Sequence, residues 1–180
     1  MESTLLISLN DILHYTTVGG DVDDVKINPH IYNSQILYIE PILGSELYEK
    51  MISLVNTGDI NLGGNINYKN LLDIYITPSL VFHTLEFFIP INSFIIADGG
   101  TFRLNPTNAS YSPMDEIDRL SAKYKIIGNK YDKKLSDYLC KYQTNYIEYQ
   151  NLDGLVPKTE TTNRCGWYLG LSNQTNKIRI

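Results

Sequence analysis

Residues 112 to 149 read SPMDEIDRLSAKYKIIGNKYDKKLSDYLCKYQTNYIEY, and this stretch decides the fold. Ser112 offers an N-cap side chain, Pro113 suits the first helical position, and Asp115 and Glu116 suit the first turn, approximating a capping box with Asp in place of the usual Glu. Ile117, Leu120, Tyr124, Ile127, Tyr131, Leu135, Tyr138 and Tyr142 then follow at spacings of three and four. Lys123, Lys125, Lys130, Lys133, Lys134 and Lys141 lie mostly off that stripe. The pattern predicts one long amphipathic helix from about Ser112 to Tyr149, its stripe from Ile117 onward about 50 Å at ~1.5 Å per residue, more than a core of this size covers. A tyrosine ring buries well while its hydroxyl tolerates a wet boundary, which suits a subunit interface. Tyr124, Tyr131, Tyr138 and Tyr142 are therefore candidate interface residues, the alternative being that the stripe packs only within the chain.

Working outward, the upstream sequence reads as shorter helices. Asn28-Pro29 looks like a helix start, with Ile31, Gln35, Leu37 and Ile39 inside, Pro41 disturbing the helix and Gly44 closing it. Ser45 caps a second helix through about Asn56, with Leu47, Met51, Ile52 and Val55 on its buried side and Thr57-Gly58 ending it. From Tyr68 to Phe88 apolar residues nearly encircle the axis, so this helix is expected at the centre, with Pro78 as its kink point. Phe94-Ile95-Ile96 and Thr101-Phe102-Arg103-Leu104 flank Asp98-Gly99-Gly100 and read as a hairpin over about 93–104.

The ends read differently. Residues 1–27 look like an arm with a turn, in which Asp21, Asp23 and Asp24 form a solvated acidic loop lacking the glycine and closing glutamate of a calcium loop. Residues 150–180 have no helical period. Trp167, Tyr168, Leu169, Leu171, Ile178 and Ile180 are apolar residues that too short a segment cannot bury by itself. They either fold back on the helices or dock on another protein, and Trp and Tyr beside glycines favour docking. The expected fold is mainly α: a helical bundle over 28–149 with one long amphipathic helix, a small β-hairpin, and extended N- and C-terminal arms.

Composition narrows the function. The net charge of −5 argues against a protein that mainly grips nucleic acid. Charge is unevenly spread, with −4 over Met1 to His30, −4 over Ile31 to Ser112, +1 over Pro113 to Tyr149 and +2 over Asn151 to Ile180; head and tail have opposite signs, which suits subunits meeting end to end. Ile, Asn and Tyr supply 53 of the 180 residues, and Lys outnumbers Arg 11 to 4, a bias toward AT-rich codons. No run approaches the roughly 20 apolar residues of a membrane helix, and Met1 to Tyr15 lacks the features of a signal peptide, so a soluble chain is expected. Cys140 and Cys165 fit no metal spacing and are read as reduced thiols. His14, His30 and His83 have no partners at metal-binding spacing, and His83 reads as a core histidine with one hydrogen bond. The glycine pairs lack a phosphate-loop context. No catalytic site, metal or cofactor is expected.

Three phrases carry a resemblance: Ile42-Leu43-Gly44-Ser45-Glu46-Leu47-Tyr48-Glu49-Lys50, then Leu71-Leu72-Asp73-Ile74-Tyr75-Ile76-Thr77-Pro78-Ser79-Leu80-Val81, then Leu120-Ser121-Ala122-Lys123-Tyr124 running to Tyr138-Leu139-Cys140. In this order they resemble head–tail connector (adaptor, neck ring) proteins of tailed bacteriophages, particularly of crAss-like phages and related phages of Bacteroidetes. The similarity covers about Asn28 to Tyr149. It implies a homo-oligomeric, twelvefold ring below the portal protein that extends the DNA channel and carries other neck or tail proteins, in the virion and, during assembly, in the host cytoplasm. Double-stranded DNA would pass through without specific binding. Asp98, Gly99, Gly100 and Arg103 would then form a hairpin facing the channel or a neighbour, and the C-terminal residues from Trp167 to Ile180 would dock on a partner. Twelve chains at −5 each make a ring of roughly −60, which repels phosphates and favours sliding over sticking. Two other readings compete: a helical interaction module acting as regulator or assembly chaperone, and an enzyme using Cys140 or Cys165.

Overall fold

The computed structural model describes residues 4–19, 22–97, 100–103 and 114–150, and over these the protein is mainly helical. The order is α1 (Leu9–Tyr15), α2 (Asp24–Ser34), a π turn (Gln35–Ile39), α3 (Glu40–Leu43), α4 (Ser45–Thr57), α5 (Ile66–Asn70), a second π turn (Leu71–Ile76), α6 (Thr77–Asn92), β1 (Phe94–Ala97), β2 (Gly100–Arg103), α7 (Met114–Lys141) and α8 (Ile147–Gln150). The central element is α6, as its apolar circumference predicts; Leu80, Val81 and Leu85 are fully buried. Two flanks of it are covered by different neighbours, α7 along one and α2 along another. The continuous stretch Gly63–Asn92 is long and apolar enough to cross a membrane by length and composition, although it holds no unbroken apolar run of that length. Most of its apolar window is buried inside the body, as in a core helix.

Both π turns stand immediately before a proline-bearing helix. Glu40 N–H donates to Gln35 O, and Thr77 N–H to Leu72 O, each across five residues. Proline clashes with the carbonyl four residues back and offers it no donor. The wider turn shifts the hydrogen-bond register just ahead of Pro41 and Pro78, so the chain remains helical through both. Gly44 (φ 76°) separates α3 from α4, and Gly58 (φ 77°) ends α4 in the left-handed region, as Thr57-Gly58 predicts.

Three sequence-based expectations are corrected. The described part of the 1–27 segment, residues 4–19 and 22–27, is not an extended arm: Leu6, Ile7, Ile12 and Ile27 are buried, and α1 is one of the packed helices. The side chain of Gln35, itself fully buried, ties this segment down, accepting from Leu6 N–H at 2.6 Å and donating to Thr4 O at 3.3 Å and to Tyr48 Oη at 3.2 Å. Helix α2 starts at Asp24, capped by Asp23, whose Oδ1 accepts from Val25 N–H at 2.9 Å. The earlier start places Ile27 and Ile31, four apart and both fully buried, on one inner stripe, and it leaves Pro29 inside the helix.

The long helix is also shorter than its pattern suggested. It runs 28 residues to Lys141; a 3-10 turn (Gln143–Asn145) and α8 then fold the chain back. Tyr146 and Tyr149 thereby enter the core, where a straight rod would leave them in water. Tyr146 Oη donates to Asn67 O at 3.0 Å, and Tyr68 Oη donates to Glu148 Oε2 at 2.9 Å. The strands β1 and β2 pair antiparallel, Phe94 opposite Arg103 and Ala97 opposite Gly100. Asp98, Gly99, the cap Ser112 with Pro113, and residues 151–180 lie outside the described residues.

Candidate functional site

The contact between α6 and α7 is built from two matched stripes. Ser79, His83 and Glu86 recur at intervals of four and three on α6, while Ser121, Lys125, Gly128 and Asp132 recur at four, three and four on α7. Helical geometry puts each set on one face, so packing the helices brings the sets together.

At the centre is His83, fully buried. Its Nδ1 lies 3.1 Å from Glu86 Oε2 and its Nε2 lies 2.9 Å from Asp132 Oδ2. Carboxylate oxygens only accept, so the doubly protonated imidazolium satisfies both contacts. Glu86 also accepts from Lys125 Nζ at 2.9 Å and from Tyr38 Oη at 3.2 and 3.3 Å. Ser79 Oγ donates to Asp132 Oδ1, and Ser121 Oγ donates to Glu86 O at 2.8 Å. Burial alone would push the Glu86 carboxyl up. Hydrogen bonds and charge from Lys125 and His83 outweigh burial and hold it below its ordinary value. The same pairing, first through the hydrogen bond to Glu86, raises Lys125.

Two further residues shape the space around the ring. Tyr38, carried by the first π turn, stacks on the imidazole with ring centres 3.6 Å apart and planes 7° apart. Gly128 backs the ring from α7, where a Cβ would stand 2.7 Å from both Cε1 and Nε2. Glycine weakens a helix interior, and the steric reason for it here is direct: no side chain fits between α7 and His83. The Ser79 hydroxyl is engaged with Asp132, and both ring nitrogens of His83 are engaged with carboxylates. The chemistry of this arrangement is the holding of buried charge and of helix register. Among the described residues, no group of three His, Cys, Asp or Glu is arranged to hold a metal ion.

The tyrosine stripe runs beside this cluster. Tyr124 and Tyr131 stack on Phe82, with ring centres 6.0 and 5.6 Å apart. Tyr138 stacks on Tyr75 at 4.1 Å, and its hydroxyl meets that of Tyr146 at 3.0 Å. Tyr124, Tyr131 and Tyr138 are thus half-buried against their own chain, while Tyr142 remains 38% exposed. Gly100 and Arg103 lie at the two ends of β2. Trp167, Tyr168, Leu169, Leu171, Ile178 and Ile180 lie outside the described residues.

The sequence pattern brought His83 into view with one hydrogen bond; the structure gives it two carboxylates. Lys125 reads in the sequence only as one of the lysines off the stripe, and Glu86, Gly128 and Asp132 escape notice, although polar residues on the most apolar helix and a glycine inside a strong helical pattern are available signals. Of the other histidines, His14 is exposed, and His30 sets its ring edge against Phe88 at 5.7 Å. Cys140 is disulfide-bonded, which corrects the expectation of reduced thiols.

The model of a family of unknown function (DUF6712) matches residues 39–158, well over half of the chain, and the chain belongs to that family. No curated protein and no solved structure matches it.

Proposed function

We propose that this member of the DUF6712 family is a structural subunit of a phage head–tail connector, forming a ring under the portal that extends the DNA channel and joins capsid to tail. The observation that carries this reading is the ordered set of three phrases, which fall on the parts that build the body. Ile42 to Lys50 spans the α3–Gly44–α4 junction, Leu71 to Val81 spans the second π turn and the start of α6, and Leu120 to Cys140 is most of α7. All three lie inside the matched span 39–158. The acidic balance supports a conduit, since a wall of like charge does not retain DNA.

With Tyr124, Tyr131 and Tyr138 turned onto their own chain, the ring contact is assigned to other parts of the surface, with Tyr142 still available to it. The test is reconstitution: the full chain is mixed with the assembled portal protein of the same phage and the particle examined by light scattering and electron microscopy. A ring of this chain added to one face of the portal is the expected result. A chain that stays unassembled beside a competent portal would refute the reading and favour a regulator or chaperone.

A further inference from the structure

The outward side of α7 carries a feature that the seam with α6 leaves unused. Lys123, Lys130, Lys134 and Lys141 follow at intervals of seven, four and seven residues. At ~3.6 residues per turn, all four fall within about 20° of one line along the helix, and the line runs about 27 Å. All four are exposed, and none forms an ion pair among the described residues. Lys134 and Lys141 lie over the rings of Tyr131 and Tyr142, at 4.9 and 5.0 Å, which lays their stems along the helix. Asp137 is the acid nearest this line within its length, and Glu116, seven residues before Lys123, falls on its extension toward the start of α7. Lys125, by contrast, is committed to Glu86.

A surface of opposite sign stands on another flank. Asp23 and Asp24 are exposed at the start of α2, and Lys26 is the only lysine or arginine among the first thirty residues. Beside them opens a groove of about 470 Å³, with Leu5, Leu9 and Val55 in its lining and Asp11 and Asp24 among its walls. Helices α2 and α7 pack on different flanks of α6, Phe88 meeting His30 of α2 while Phe82 and His83 face α7. The two charged surfaces do not pair within one chain.

We propose that the lysine line of α7 docks on the acidic groove of a second copy of this chain. A lysine suits the groove because its stem covers apolar surface while its ammonium group meets carboxylates. The two patches differ, so the contact is head to tail, and contacts of that kind close into rings when the rotation permits. The proposal rests on the ring reading above and names its contact. The net charge of −5 favours a second copy over nucleic acid as the occupant.

The test is a charge swap in the full chain, read by sedimentation velocity between about 0.05 and 0.5 M salt. The wild type should self-associate, and more weakly as salt rises. K123E/K130E/K134E and, separately, D24K should each weaken association about tenfold, with unchanged circular dichroism and melting, and an equimolar mixture of the two should restore it. Variants that associate like the wild type, or a mixture without rescue, would overturn the pairing and leave the ring reading standing. A wild type monomeric throughout overturns the pairing, while portal binding, measured separately, judges the connector reading. Lysine-dependent binding of a short DNA duplex at physiological salt, without self-association, would overturn it in favour of nucleic acid.

Discussion

The seam that α7 makes with α6 and with the π turn before it is built in two ways along its length. Around His83 it is charged, with the imidazole ring between the carboxylates of Glu86 and Asp132 and a glycine clearing the space. Toward α8 it is aromatic, with Tyr75 on Tyr138 and Tyr138 joined to Tyr146. Stacked rings gain area and accept modest shifts. A buried charge network accepts few, because each displaced partner leaves an ion without water or counterion. The aromatic half supplies cohesion, and the charged half selects one register of α7 on α6.

The contrast breaks most sharply at His83. His83→Ala leaves two largely buried carboxylates facing each other and should cost about 3 to 5 kcal/mol in denaturant unfolding. A loss below about 1 kcal/mol would mean that the network is not what holds the register. Next comes Gly128→Ala, where the better helix former should still destabilise, by about 1 to 3 kcal/mol, because its Cβ meets the His83 ring. In the His83→Ala background the same change should become neutral or favourable, and a double-mutant cycle measures that coupling.

At the aromatic half the effects should be smaller. Tyr146→Phe removes the hydroxyl that bonds Asn67 O and Tyr138 while keeping the ring, and should cost about 1 kcal/mol. A cost comparable to that of His83→Ala would erase the distinction between the halves.

Smallest are the responses to pH, which differ in sign between the halves. Glu86 titrates below its ordinary value when folded, so its contribution is complete above the ordinary carboxylate range and is lost as pH falls through the folded value. Glu86→Gln should therefore flatten the acid limb of the stability curve. Tyr68, packed against Tyr146, is pushed up to about 12, first by burial and then by its hydrogen bond to Glu148. Its contribution is complete below the ordinary phenol value of 10.0 and fades as pH rises toward about 12. Phenolate absorbance should show a late-titrating phenol that Glu148→Gln brings forward.

Legibility in the sequence divided by range. Helix character, the central place of α6, the Gly58 stop and the aromatic stripe of α7 were readable, because each depends on spacing or on the conformation of a single residue. The docking of residues 4–19 was not. Leu6 and Ile7 belong to no periodic pattern, and the core that buries them and the Gln35 side chain that bonds Leu6 N–H come from residues far along the chain. The long helix was overread for a related reason: the tyrosine spacing continues past Tyr142, and the pull of the core on Tyr146 and Tyr149 is invisible until α5 meets Tyr146 and α4 packs on α8.

By itself, the sequence determined a mainly helical chain, acidic overall, with an amphipathic α7 whose lysines and tyrosines occupy different sides, since a period near 3.6 sorts residues to faces without reference to any partner. Tertiary structure alone decided what the faces meet. His83 and Asp132 are 49 positions apart, and Tyr38 reaches Glu86 across 48. Pairings at such separations follow from how the helices pack, and local spacing carries no record of them.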